Sequence, residues 1–357
     1  MSNDKRMEAL YKHAANHRFE AFDRLFTELE ATISFEQFWE AYLMRAQIKL
    51  FAGDPFIIDD LVLVGSPDAQ PQFPCLNTVW EADAPNRFII YSKAPGLLQS
   101  FAQSLPRVHE IMTHLYGAQG GIMVRLMQFH LLYLRGEIQE SFELTEDSFK
   151  SEDATPTDIL MLLCARFRCY LALGATEDAE HCMMEVIRMS KKYPSCIAPY
   201  LSFRGWANIT TSWNGESPRF SEDAAGQQQP VFDDRLEDIR KGSARTTPLE
   251  APFEDYAARH YDGAVTLREY YMEVFHAMYW LLVGNTRQAE TCAQGLYEMA
   301  TTTGMIMPLV ECGEQIMPLL RHVKKKDIGI SDAWLEKISA MAQQYEKMLE
   351  MYREIDV

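Results

Sequence analysis

Positive charge is scarce in this chain. Thirty-four Lys and Arg face 51 Asp and Glu across 357 residues, a net charge of −17 at pH 7. Duplex DNA is bound largely through neutralised phosphates, so this charge balance makes a poor DNA ligand. Long apolar runs are also missing. Charges interrupt each one well short of the roughly 20 residues of a membrane span, and the start, MSNDKRMEAL, lacks the apolar core of a signal peptide. These absences read as a cytoplasmic protein with no membrane association. Cysteine is sparse and unpatterned: Cys75, Cys164, Cys169, Cys182, Cys196, Cys292 and Cys312 form no CxxC pair and no zinc-finger spacing. An odd, scattered set reads as reduced core thiols.

Motifs of catalysis are absent as well. The sequence has no GxxxxGK[ST], GxSxG, HExxH or EF-hand loop, and GAQGG at 117–121 fails the GxGxxG spacing and reads as a helix-ending turn. His13 and His17 lie four apart with Glu20 one turn on, a spacing that suits a metal but also any exposed helix. Glu273 and His276 form a single ExxH, whereas a di-iron bundle needs two such pairs and two more carboxylates. Glu311 would need a partner carboxylate or a pKa-raising pocket to act as acid or base, neither of which sequence shows, and reads as a structural Glu near a helix end; Cys312 has only His322, ten residues on, as a base. No catalytic residue, metal or cofactor is assigned, and the chain reads as a non-enzyme.

What is present favours helices. Apolar residues make up 47% of the chain and aromatics 11%, enough to bury a full core. Internal similarity is the most informative signal. "YLRGEIQES" (133–141), "LALGATEDA" (171–179), "LLVGNTRQA" (281–289) and, more loosely, "KLFAGDPFI" (49–57) repeat one pattern; "KHAANHRFEA" offers Asn16 at the same place. In the best two, Gly174 or Gly284 follows a Leu-rich helix end and a small residue, Ala179 or Ala289, comes five positions later. Glycine takes the left-handed conformation that ends a helix, and the small residue lets a second helix pack closely. Gly136 and Gly174 are 38 residues apart, and Gly174 and Gly284 are 110 apart, nearly three such periods. That is slightly longer than the tetratricopeptide period of about 34. The predicted fold is all-α, a TPR-like solenoid of helical hairpins, with unrelated hairpins in a globular bundle as the alternative.

Irregular insertions are predicted near 65–95, which holds five prolines, and near 214–252, which is poor in apolar residues. The solenoid occupies 1–323 and a second unit, 324–357, holds a basic turn and a terminal helix. The basic run Arg321–Lys326 reads as solvated. After Ser331 or Asp332 as N-cap, Trp334, Ile338, Met341, Tyr345, Met348, Tyr352 and Ile355 follow at spacings of 4 and 3, a heptad seam. It packs back on the solenoid as a cap, pairs with a second copy in a homodimer, or leads into another domain.

One segment is rich in aromatics: Tyr270, Tyr271, Phe275, Tyr279 and Trp280, in "LREYYMEVFHAMYWLLVG" (267–284). First helices of solenoid hairpins line the concave face, where such residues suit a peptide or a small apolar effector. Filling a wide core is the other reading. Trp206 and Trp213 make a weaker case of the same kind.

Pro308, Leu309, Glu311 and Gly313, followed by Met317, Pro318, Leu319, Leu320 and Arg321, resemble the end of the TPR-like region in MalT-type regulators of the LuxR family. "WLEKISAMAQQYEKML" and the stretch from Val64 to Leu98 are similar to parts of that family too. The resemblance implies an effector-sensing or partner-binding region. It would take a small-molecule effector or a protein partner and meet DNA only through a separate helix-turn-helix domain. A stand-alone protein-interaction scaffold is the alternative.

Overall fold

A computed structural model describes residues 3–15, 19–34, 37–38, 40–42, 44–45, 90–92, 96–148, 154–211 and 264–353. The chain is all-α, an array of helical hairpins. The calls on 49–57, the insertion at 214–252, Asn16, His17, Cys75, Trp213 and Ile355 lie outside the described residues, as does most of the 65–95 insertion.

The first hairpin is α1 (Asn3–Ala15) with α2 (Phe19–Leu29). Next come α3 (Leu97–Arg135) and α4 (Ile138–Ser148), then α5 (Pro156–Leu173) and α6 (Thr176–Lys192). A 3-10 turn at Pro194–Cys196 leads into α7 (Ile197–Thr211). After the second insertion, α8 (Leu267–Leu282) pairs with α9 (Thr286–Thr303), and three helices finish the chain: α10 (Met307–Val310), α11 (Met317–Lys326) and α12 (Asp332–Arg353).

The three repeats found in the sequence close with one hydrogen-bond pattern. Gly136, Gly174 and Gly284 have φ of 81, 75 and 81°. Each donates its N–H to the carbonyl three residues back (Tyr133, Leu171, Leu281), and the next residue donates to the carbonyl five back (Leu132, Tyr170, Trp280). This double closure satisfies carbonyls that a helix end leaves open. Five residues past each glycine, Ser141, Ala179 and Ala289 are wholly buried between the paired helices. The start of α5 is also set locally: Thr155 and Asp158 form a reciprocal capping box ahead of Pro156.

Helix α3 is broken at Gly117, whose φ of 63° and ψ of −151° are non-helical. A Cβ on Gly121 would lie 2.7 Å from the Thr113 hydroxyl. Residues eight apart in a straight helix are about 12 Å apart along the axis, so the second half of α3 folds back on the first. The break falls at Gly117 alone, and the rest of GAQGG, 118–121, is helical and begins the second half.

One feature departs from the helical expectation. β1 (Ile90–Ser92) pairs antiparallel with β2 (Ala264–Thr266), Ile90 opposite Thr266 and Tyr91 opposite Val265. This ribbon brings the chain entering α8 beside the chain that precedes α3.

The terminal helix packs back on the array. α12 touches α5, α6, α7, α10 and α11, and its buried seam is Leu335, Ile338, Ala342, Tyr345, Leu349 and Tyr352. Ile338, Tyr345 and Tyr352 are as the heptad pattern predicts; Trp334, Met341 and Met348 are half-buried at the edge of the seam. The edge has its own logic. A Cβ on Gly136 would meet the Met341 methyl at 3.1 Å, and one on Gly174 would overlap the Met348 sulfur. Seven helical residues rise about 10.5 Å, close to the spacing of packed helices, so one heptad of α12 spans one hairpin turn to the next. Trp334 meets Tyr297 of α9 edge-on at 5.1 Å.

The basic run is not a turn. Lys324, Lys325 and Lys326 form the last turn of α11, where cations complement the negative end of the helix dipole. The break follows it, with Asp327 and Gly329 at positive φ, and Ser331 then caps α12.

Candidate functional site

Between α9 and α11 the chain takes two left-handed glycines, Gly304 (φ 76°) and Gly313 (φ 54°), on either side of α10. The Ile306 N–H donates to the Leu134 carbonyl at 2.7 Å, fixing this segment on the end of α3. Pro308, Leu309 and Val310 are buried, and Glu311 caps the short helix with its side chain pointing into the protein.

Four helices converge on that carboxylate. Oε1 accepts from the Tyr133 hydroxyl of α3 at 2.8 Å and from Arg168 Nη2 of α5 at 2.6 Å. Oε2 accepts from the Tyr271 hydroxyl of α8 at 2.7 Å and from Trp206 Nε1 of α7 at 3.2 Å. Arg168 Nη2 also donates to the Tyr271 hydroxyl at 3.0 Å. The guanidinium stands over the Tyr133 ring at 4.2 Å and the Trp206 ring at 4.9 Å, so two aromatic faces stabilise its charge. The ion pair is almost dry: the Arg168 and Glu311 side chains are 0% and 4% exposed.

Burial works against the Arg168 charge, but Glu311, then Tyr271 and Tyr133, outweigh it and hold the guanidinium more firmly protonated than in water. Burial first, and the Glu311 charge second, push the Tyr133, Tyr271 and Tyr345 phenols well above the ordinary tyrosine range. All three stay neutral, and Tyr133 and Tyr271 donate to Glu311. The Tyr345 hydroxyl, from α12, is buried beside Tyr133, and among the described residues no partner of full hydrogen-bond geometry reaches it.

The aromatic candidates are placed as follows. Tyr270, Tyr271, Phe275 and Trp206 are core residues, between 0 and 6% exposed, so they do not line an open concave face. The physical reason is that α8 is covered by α10 and α11, and α7 by α12. Tyr270 donates to the Met305 carbonyl at 2.6 Å. Tyr271 and Trp206 meet on Glu311. Tyr279 and Trp280 are half-buried and touch each other edge-on at 5.2 Å.

Sequence reasoning missed Tyr133, Arg168 and Tyr345. A signal for Arg168 was available: it stands in "LCARFRCYL", among Cys164, Phe167, Cys169 and Leu171, all buried. A charge in so apolar a helix needs a counter-charge. Nothing local tells that the partner lies 143 residues away.

The described thiols with resolved shifts are held protonated. Burial, with Glu311 second, holds Cys312 strongly protonated; burial also pushes Cys169 up to about 12 and Cys182 up to about 11. Cys312 donates to the Pro308 carbonyl at 3.4 Å, while His322 faces Glu290 at 2.8 Å. The ExxH pair, Glu273 and His276, stands 3.8 Å apart, and no cluster of three metal-ligating side chains occurs among the described residues. No helix among them is long and apolar enough to cross a membrane. No family model, curated protein or solved structure matches this chain.

Proposed function

We propose that this chain is the partner-binding, signal-receiving helical-repeat region of a MalT-type regulator of the LuxR family. The observation that carries the reading is the convergence of α3, α5, α7 and α8 on one carboxylate in α10. The stretch that resembles those regulators, Pro308 to Arg321, contains the carboxylate on which the four helices meet. A buried ion pair fully supplied with donors has two well-separated conditions, made or broken, since a half-satisfied charge is costly. A partner or effector that prefers one arrangement of the array shifts the population and passes the signal to an attached DNA-binding domain. Catalysis is not part of the proposal: both Glu311 oxygens are occupied by donors, and the described thiols with resolved shifts are held protonated.

A second reading, a stand-alone scaffold that binds a peptide or helix, is favoured by the burial of Tyr270, Tyr271, Phe275 and Trp206. That burial removes the aromatic face a small apolar effector would use. Transcript profiling of native cells carrying Glu311→Gln, with tagged chain purified in parallel, separates the two. The regulator reading expects a small, reproducible set of changed transcripts. Unchanged transcripts together with a stoichiometric co-purifying protein would leave only the scaffold.

A further inference from the structure

Glu311 enters the interior from a four-residue helix between two left-handed glycines, while its donors sit on long helices packed in hairpins of their own. Arg168 belongs to the α5–α6 hairpin, Tyr133 to α3–α4 and Tyr271 to α8–α9; Trp206 stands on α7. The donor set therefore belongs to the array, and the carboxylate is inserted into it. The chemistry of the cage is one-sided. It presents a guanidinium, two phenols and an indole N–H around a dry point, with the rings of Tyr133 and Trp206 against the cation. Two donors to each oxygen of a planar group match a carboxylate better than a spherical or tetrahedral anion.

We propose that this cage is a carboxylate-binding site that Glu311 fills in cis, and that a small free monocarboxylate occupies it when the Glu311 side chain is removed. The inference stands on the cage alone and holds whether or not the chain regulates transcription.

The test is chemical rescue of the full chain. Glu311→Ala is heated in sodium acetate and in sodium chloride at equal ionic strength, beside the unaltered protein and the double variant Arg168→Met/Glu311→Ala. The expected result is a saturable rise of Tm with acetate in Glu311→Ala, following ln(1 + [L]/Kd). The unaltered protein, its cage already filled, shows no such rise, nor does the double variant. If Glu311→Ala does not accumulate folded, it is refolded from urea in each salt, and recovery of near-UV circular dichroism in acetate alone is the supporting outcome. Equal Tm or equal recovery in the two salts overturns the proposal. So does failure to refold in either, or a rescue that persists without Arg168, which would place acetate elsewhere.

Discussion

Replacing Glu311 by Gln keeps the shape of the side chain, removes its charge and turns one of its two acceptor oxygens into an NH2 donor, so the change reads the ion pair together with the hydrogen bonds to that oxygen. Arg168 would remain at 0% exposure, with no water to take over the missing interaction. Deleting one partner of a buried pair costs about 3–5 kcal/mol, because the other charge stays desolvated. The aromatic faces of Tyr133 and Trp206 do not offset this loss, since they stabilise the guanidinium equally before the change. Native domains hold about 5–15 kcal/mol in total, so Glu311→Gln removes a large share. Urea unfolding, followed by far-UV circular dichroism, measures it. A double variant, Arg168→Met/Glu311→Met, separates charge from hydrogen bonding. It regains most of the electrostatic loss but leaves the Tyr133, Tyr271 and Trp206 donors without their acceptor, at about 1–3 kcal/mol each. It should therefore remain less stable than the unaltered protein. A Glu311→Gln chain within about 1 kcal/mol of the parent, below the cost of breaking such a pair, would refute the reasoning.

Tyr271→Phe deletes the 2.7 Å bond to Glu311 and the acceptor for Arg168 while keeping the ring; a loss of about 1.5–3 kcal/mol in urea unfolding is expected for a bond to a charged group. Gly174→Ala and Gly284→Ala impose the same left-handed strain, about 1–2 kcal/mol, but only Gly174 abuts Met348 of α12, Gly284 having open space. Gly174→Ala should thus cost more, and a Met348→Ala background should bring the two costs together; equal costs at the outset would argue against the α12 contact. Stability should also fall in alkali. The Cys169 and Cys182 thiols are raised by burial to about 12 and about 11, so the unfolded chain loses these protons first, near the ordinary thiol value of about 8.5. Their contribution is complete below that value and is lost as pH climbs towards 11–12, at up to about 1.4 kcal/mol per pH unit for each thiol. Urea midpoints between pH 8 and 10.5 measure this, and a flat profile that Cys182→Ser leaves unchanged would contradict it.

Much of the local architecture is written in short stretches. Gly136, Gly174 and Gly284 with their small partners five residues on specify the hairpins, because a left-handed glycine and a close helix contact are both local requirements. The 4–3 spacing after Ser331 marks α12 as a helix with one apolar seam, though it leaves open what that seam meets. The hub was not legible in the same way. Its members lie at positions 133, 168, 206, 271 and 311, and nothing within a few residues of Glu311 tells it from a solvated helix-end carboxylate. Local sequence sets backbone conformation through sterics and hydrogen bonds over four or five residues. Whether Tyr271 faces a groove or a buried charge, and whether Met348 meets a second copy or the Gly174 turn, depends on which helices the tertiary fold brings alongside.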